Sequence, residues 1–150
     1  MKTIIAGSRG IDNALRVVAK AINASGWLMQ ITEVVSGTAR GIDRAGERWA
    51  EDNQIKIKTF PAWWNDLSGS DGMPVVERTQ ADGRRYNAAA GHNRNQRMAE
   101  YADALIAVWD GVSKGTKDMI DRATKEGLKV YVYRVETEML DSKGKLNDDS

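Results

Sequence analysis

The chain alternates short apolar runs with helical periods, and most of the apolar runs end in a glycine turn. Residues 3–6 form an apolar, β-branched run that stops at Gly7. Past the turn Gly7-Ser8-Arg9-Gly10, a helical period places Ile11, Ala14, Leu15, Val18 and Ile22 on one face. Asp12 and Asn13 suit its first turn, and Gly26 suits its stop. Residues 31–35 read as a second strand ending at Ser36-Gly37, followed by a helix over 40–52 with Ile42, Ala45, Gly46 and Trp49 on one face. Ile55, Ile57 and Thr59 alternate with Lys56 and Lys58, a pattern that suits a sheet edge, and Pro61 ends it. Residues 62–90 are irregular, and a gap of this length inside one domain is a functional loop or an insert. A helix resumes near Asn93 and runs through Met98 and Tyr101. Residues 104–109 are the most apolar run and read as a central strand. After the turn 110–115 comes a helix with Met119, Ile120 and Ala123, closed by Gly127, and then a last strand over 130–135.

Strand–helix alternation implies a parallel sheet with helices on both faces, because a parallel crossover needs a helix to return the chain. The expectation is an α/β, Rossmann-like sheet of five strands in the order 3-2-1-4-5. Residues 1–135 make one domain with an insert at about 62–90, and 136–150 are a polar, frayed tail. Ligands of such sheets bind beyond the carboxyl ends of the strands, where the strand order reverses. That rule gives the glycines an address. Gly7 and Gly10 follow the first strand, Gly37 and Gly41 the second, and Gly111 and Gly115 the fourth, all on one edge.

Composition narrows the chemistry. The absence of cysteine excludes disulfides, thiolate metal sites and a cysteine nucleophile, and the single histidine excludes a site needing two. No metal site is expected. A formal charge of +1 argues against a uniformly basic nucleic-acid binder and leaves room for a local patch. No apolar run approaches a membrane span, and the early Gly7 does not suit a secretory signal, so the expected location is the cytoplasm, or the host cytoplasm if a phage encodes the chain.

Glycine turns that feed helix N-termini offer free N–H groups to a phosphate. Two such turns occur, Gly7-Ser8-Arg9-Gly10 and Ser113-Lys114-Gly115-Thr116. Neither has the spacing of a P-loop or of the dinucleotide fingerprint. In Ser36-Gly37-Thr38-Ala39-Arg40-Gly41-Ile42-Asp43, Arg40 could pair a phosphate or simply brace the turn through Asp43. Arg94 and Arg97 lie one helical face apart, and Arg94-Asn95 follow Gly91-His92 at the helix start. Arginine forks there match phosphate or carboxylate. Of the adjacent Trp63 and Trp64, at most one suits the core, and the other could cover a base; Tyr86 is a similar candidate.

Five stretches in order resemble the YspA/YpsA-related branch of the SLOG superfamily. They are Gly7-Ser8-Arg9, Val34-Val35-Ser36-Gly37-Thr38-Ala39-Arg40-Gly41-Ile42-Asp43, Trp64, Ala90-Gly91-His92-Asn93-Arg94-Asn95-Gln96-Arg97-Met98 and Ala102-Asp103-Ala104-Leu105-Ile106-Ala107. The resemblance spans about residues 2–134 and implies a Rossmann-like fold, a nucleotide or NAD-derived ligand and a homodimer. Lonely-guy phosphoribohydrolases are similar at His92, Arg94 and Met98 and again at Gly115-Thr116. Their glutamate position is Met119 here, which leaves Asp118, Asp110 or Glu47 to substitute in an N-glycosidase. DNA-processing protein A is similar at the S-G-x-A-R-G-I-D stretch. Its resemblance implies a single-stranded nucleic-acid groove, for which Arg84, Arg85, Arg94, Arg97 and Trp64 are available.

The expected function is binding of a phosphorylated nucleoside or an ADP-ribose or NAD-derived molecule, with no cofactor required. Its expected contacts are Gly7, Ser8 and Arg9; Ser36, Gly37, Thr38, Arg40 and Asp43; Trp64; His92, Arg94 and Asn95; and Asp110, Gly111, Gly115 and Thr116. An N-glycoside hydrolase and a single-stranded nucleic-acid-binding module are the alternatives.

Overall fold

The computed structural model of the protein describes residues 1–135; the tail expected at 136–150 lies outside the described residues. The elements run β1 (Lys2–Gly7), α1 (Ala14–Ser25), a 3₁₀ turn (Leu28–Gln30), β2 (Glu33–Ser36), α2 (Ile42–Asp52), β3 (Lys56–Thr59), β4 (Glu77–Thr79), β5 (Arg85–Asn87), α3 (Ala90–Tyr101), β6 (Ala104–Trp109), α4 (Lys114–Lys125) and β7 (Lys129–Arg134). β1, β2, β3, β6 and β7 form one parallel sheet in the order β3-β2-β1-β6-β7. This is the expected 3-2-1-4-5 order. The labels differ because the insert contains an antiparallel hairpin, β4 with β5, where the sequence pattern reads as irregular. β4 is exposed at every residue and carries no apolar alternation.

The sheet is covered on both faces. α1 and α2 bury Val17, Val18, Ile22, Ile42 and Trp49 against Ile5, Val34 and Ile106. α3 and α4 bury Met98, Ala99, Met119 and Ala123 against Ile4, Val35 and Leu105. Burial on both faces explains the unbroken apolar character of β1 and β6. β3 lies at the edge, its two lysines exposed, as their alternation implies.

Two local expectations are corrected. Leu15 is 39% exposed and not on the buried face, because α1 begins only at Ala14 and turns Val17 and Val18 inward. The first glycine turn does not feed a helix directly; a bend over residues 9–13, ending at Asn13 with φ +53°, separates it from α1. Among the described residues no helix is long and apolar enough to cross a membrane.

Candidate functional site

The carboxyl ends of β1, β2 and β6 open into a cleft of about 390 Å³, roofed by the insert and by α3. Its size falls within the range usual for small-molecule sites. Gly7 and Arg9 enter it from the β1 turn, Ala39 and Asp43 from the β2 turn, and Trp64 and Ala88 from the insert. α3 contributes Gly91, His92, Arg94, Asn95 and Met98, and the start of α4 contributes Ser113, Gly115, Thr116 and Met119.

The β2 turn is the most constrained part. Gly41 has φ +87°, and a Cβ there would lie 2.8 Å from the Arg9 carbonyl oxygen. Thr38 also has a positive φ of 66°, an unusual conformation for a β-branched residue. A Cβ on Gly37 would lie 2.7 Å from Arg94 Nη1 and 2.8 Å from Asp43 Oδ2. Glycine at 37 therefore lets a guanidinium and a carboxylate close on the same backbone. Arg94 donates from Nη1 to the Gly37 carbonyl and from Nε to Asn95 Oδ1 at 3.1 Å. Asp43 is 6% exposed, and its Oδ2 accepts the Ala39 N–H at 3.1 Å. Burial pushes its pKa up to about 6. The facing Arg94 and Arg9 and the Ala39 N–H oppose that rise, and Glu47 reinforces it. Burial also lowers the Arg94 pKa, against the attraction of Asp43.

Several expected contacts stand behind the walls and support them. Ser36 is fully buried, donates to Glu47 Oε2 at 2.6 Å and accepts the Thr38 N–H at 3.1 Å. Glu47 also takes Arg44 at 3.0 Å. Ser8 Oγ accepts the Asp110 N–H at 3.3 Å, which ties the β1 turn to the β6 turn. Asp110 Oδ1 accepts the N–H groups of Val112 and Ser113, both at 2.8 Å, and closes the turn that contains Gly111. Burial raises the Asp110 pKa, but those N–H groups outweigh it and hold the carboxyl below its usual range. Asp118 receives Asn95 Nδ2 and Arg122 Nε, each at 2.9 Å, and so couples α3 to α4. None of Asp118, Asp110 and Glu47 lines the cleft; Asp43 is the carboxylate that does.

Arg40, expected either as a phosphate contact or as a brace for Asp43, is exposed and does not line the cleft. The brace is the Ala39 N–H. Both tryptophans of the insert are exposed, Trp63 by 48% and Trp64 by 40%. The Arg97 guanidinium sits 4.1 Å from the Trp63 ring centre and pairs with Asp71 at 2.9 Å. Trp64 turns to the cleft, with its ring against Gly91. Asn87, at the end of β5, fixes this arrangement: its N–H donates to the Trp64 carbonyl at 2.7 Å and its Oδ1 accepts the Val76 N–H at 2.9 Å. The sequence reading missed Ser113, Met98 and Met119 as wall residues. Met98 and Met119 read as core by period, and they are core residues whose edges reach the cleft.

A doubly wound parallel sheet with a polar cleft at its switch point defines a Rossmann-like α/β protein. Among solved structures, the chain is similar to DNA processing protein A (DprA) from Streptococcus pneumoniae, at 20% identity and a TM-score of 0.60 over 99% of this chain. It spans 58% of the length of that chain. The likeness is one of fold: both share the five-stranded parallel α/β architecture. No protein-family model matches the sequence, and no curated protein matches it.

Proposed function

We propose that the cleft binds a phosphorylated nucleoside or an ADP-ribose-like derivative of one. The observation that carries this reading is the order of chemical groups along the sheet edge. The insert that leaves β3 brings the Trp64 ring, the β2 turn brings the Asp43 carboxylate, the β1 turn brings Arg9, and the turn after β6 brings Ser113 and the first turn of α4. Aromatic face, acceptor, cation and helix N-terminus match base, sugar and phosphates in sequence. The N–H groups of Gly115 and Thr116 fall in the first turn of α4, where no intrahelical acceptor exists, and they suit an anion. Arg94 adds positive charge from α3, and His92 adds a polar ring beside it.

The domain acts without a cofactor in this reading. The motif resemblance supports membership of the YspA/YpsA-related branch, and this reading includes the homodimer that the resemblance implies. Calorimetry with nucleoside 5′-monophosphates, NAD and ADP-ribose tests the reading. Binding by wild type, weakened at least tenfold in Arg9→Ala and Arg94→Ala, is expected; no binding of any of these compounds would end it.

Two other readings have observations of their own. The likeness to DNA processing protein A favours single-stranded nucleic acid, yet Arg84 and Arg85 are paired with Asp82 and Glu77, and Arg97 with Asp71. A salt titration of single-stranded DNA binding separates this case by its steep slope. An N-glycoside hydrolase needs a carboxylate at the reacting centre, and release of free base from a nucleotide would reveal one.

A further inference from the structure

Asp43 presents an unfinished hydrogen-bond arrangement. Its side chain is buried, its Oδ2 is held by the Ala39 N–H, no hydrogen-bond donor reaches its Oδ1 among the described residues, and the residue lines the cleft. A buried carboxylate oxygen without a donor is costly, and a ligand that supplies one relieves that cost. The neighbouring groups show which part of a nucleotide could do so. Arg94 and Arg9 face Asp43 from α3 and from the β1 turn, and Glu47 faces it from within α2. A phosphate is drawn to the two arginines and repelled by the carboxylate. A base is drawn to Trp64, whose ring lies against Gly91. The sheet order sets Asp43 between the strand that launches the insert and the strand that carries Arg9. Base N–H donors go with the ring at Trp64, and the sugar hydroxyls are the donors that lie between the base and the phosphate.

We propose that Asp43 is the specificity-determining residue of the cleft, and that it selects ribonucleotides over 2′-deoxyribonucleotides by accepting the 2′-hydroxyl of the sugar at Oδ1. This inference rests on the nucleotide-binding reading above and adds the sugar class. The physical basis is asymmetric. A site that hydrogen-bonds a hydroxyl rejects the analogue lacking it more strongly than an apolar pocket rejects a missing methylene, because its own buried polar atom is left unpaired. The consequence for the alternatives is direct: a cleft of this kind disfavours DNA.

The test measures affinities of the four ribonucleoside 5′-monophosphates and their 2′-deoxy counterparts by calorimetry at pH 7.5 and pH 5.5. The expected result is at least tenfold tighter binding of a ribonucleotide than of its own 2′-deoxy form at pH 7.5. That ratio should shrink toward one in Asp43→Asn. It should also shrink at pH 5.5 in wild type, since the carboxylate there is mostly protonated. Taking the ratio removes the titration of the phosphate, which both ligands share. Equal binding of the two sugars by wild type, or a ratio unchanged in Asp43→Asn and at pH 5.5, overturns this inference and leaves nucleotide binding standing. No binding of any monophosphate overturns this inference, and no binding of NAD or ADP-ribose besides overturns the nucleotide-binding reading too.

Discussion

The two glycine turns that flank β1 look alike in sequence and differ in construction. In the turn after β2, glycine is required by crowding: Gly37 and Gly41 leave no room for a Cβ against Arg94, Asp43 and the Arg9 carbonyl. In the turn after β6, a Cβ on Gly115 would meet nothing within 4 Å, and the loop is closed by its own Asp110. The first turn stores positive-φ strain at Thr38 and buries a carboxylate beside a guanidinium. The second is a self-satisfied cap. Strain and buried charge cost stability, and proteins keep them where function uses them. In the proposed function the β2 turn is the specialised side of the cleft, and the β6 turn is the wall that faces the anion.

Substitutions can break this contrast, beginning with the largest effect. Gly37→Ala and Gly41→Ala should each destabilise the fold by about 1–3 kcal/mol in chemical denaturation, through crowding at 37 and through the left-handed backbone at 41. Gly37→Ala should also weaken nucleotide binding at least tenfold, because the new Cβ displaces Arg94 and Asp43 together.

Asp43→Asn sharpens the same point from the side of stability. The folded-state pKa of about 6 exceeds the ordinary aspartate value of 3.8, so the folded protein holds this proton more tightly. The contribution is fully present below about pH 4 and is lost as pH rises through 6, which makes the ionised form a cost at neutral pH on the order of 3 kcal/mol. Asparagine removes that cost, but it also removes the attraction to Arg94. The ligand-free variant should therefore gain about 1 kcal/mol at pH 7.5 and nothing at pH 4, measured by urea unfolding. A loss of stability at pH 7.5 would contradict the account of a strained, destabilised turn.

On the other side of the cleft the effects should be smaller. Asp110→Ala should cost about 1 kcal/mol, the usual worth of a side chain that caps N–H groups. Its depressed pKa means that the contribution is present above the ordinary carboxylate range and fades as pH falls through the folded value. Gly115→Ala should stay within about 0.5 kcal/mol or gain slightly, since alanine favours the helix and has space. A large penalty at 115 would erase the distinction between the two turns.

The contrast also explains what could be read from sequence. The strand order was legible because β1 and β6 are continuous apolar runs and β3 alternates with lysine, as central and edge strands should. The convergence of three glycine turns on one edge followed from that topology. The hairpin was not legible, because three-residue exposed strands leave no periodic signal. The sequence offers Arg40, three residues away on the chain, as one possible partner of Asp43, whereas the cations that face it are Arg94 from another helix and Arg9 from the β1 turn. Local sequence favours near neighbours, and only the packing of α3 over the β2 turn brings Arg94 to the site. Ser8, Ser36 and Asp110 sat in the right motifs, but a motif does not distinguish a hydroxyl or carboxylate that meets a ligand from one that ties two turns together.

The central claim is that the groups of the cleft act on one ligand. Titration of ADP-ribose into the isotope-labelled chain, followed by backbone and indole N–H resonances, tests it most directly. The account predicts that the Trp64 indole and the amides of Gly7, Gly37 and Gly115 shift together along one saturating curve, while the hairpin tip at Gly83 stays still. Saturating shifts confined to the hairpin, or no shifts at the three glycine amides, would contradict it.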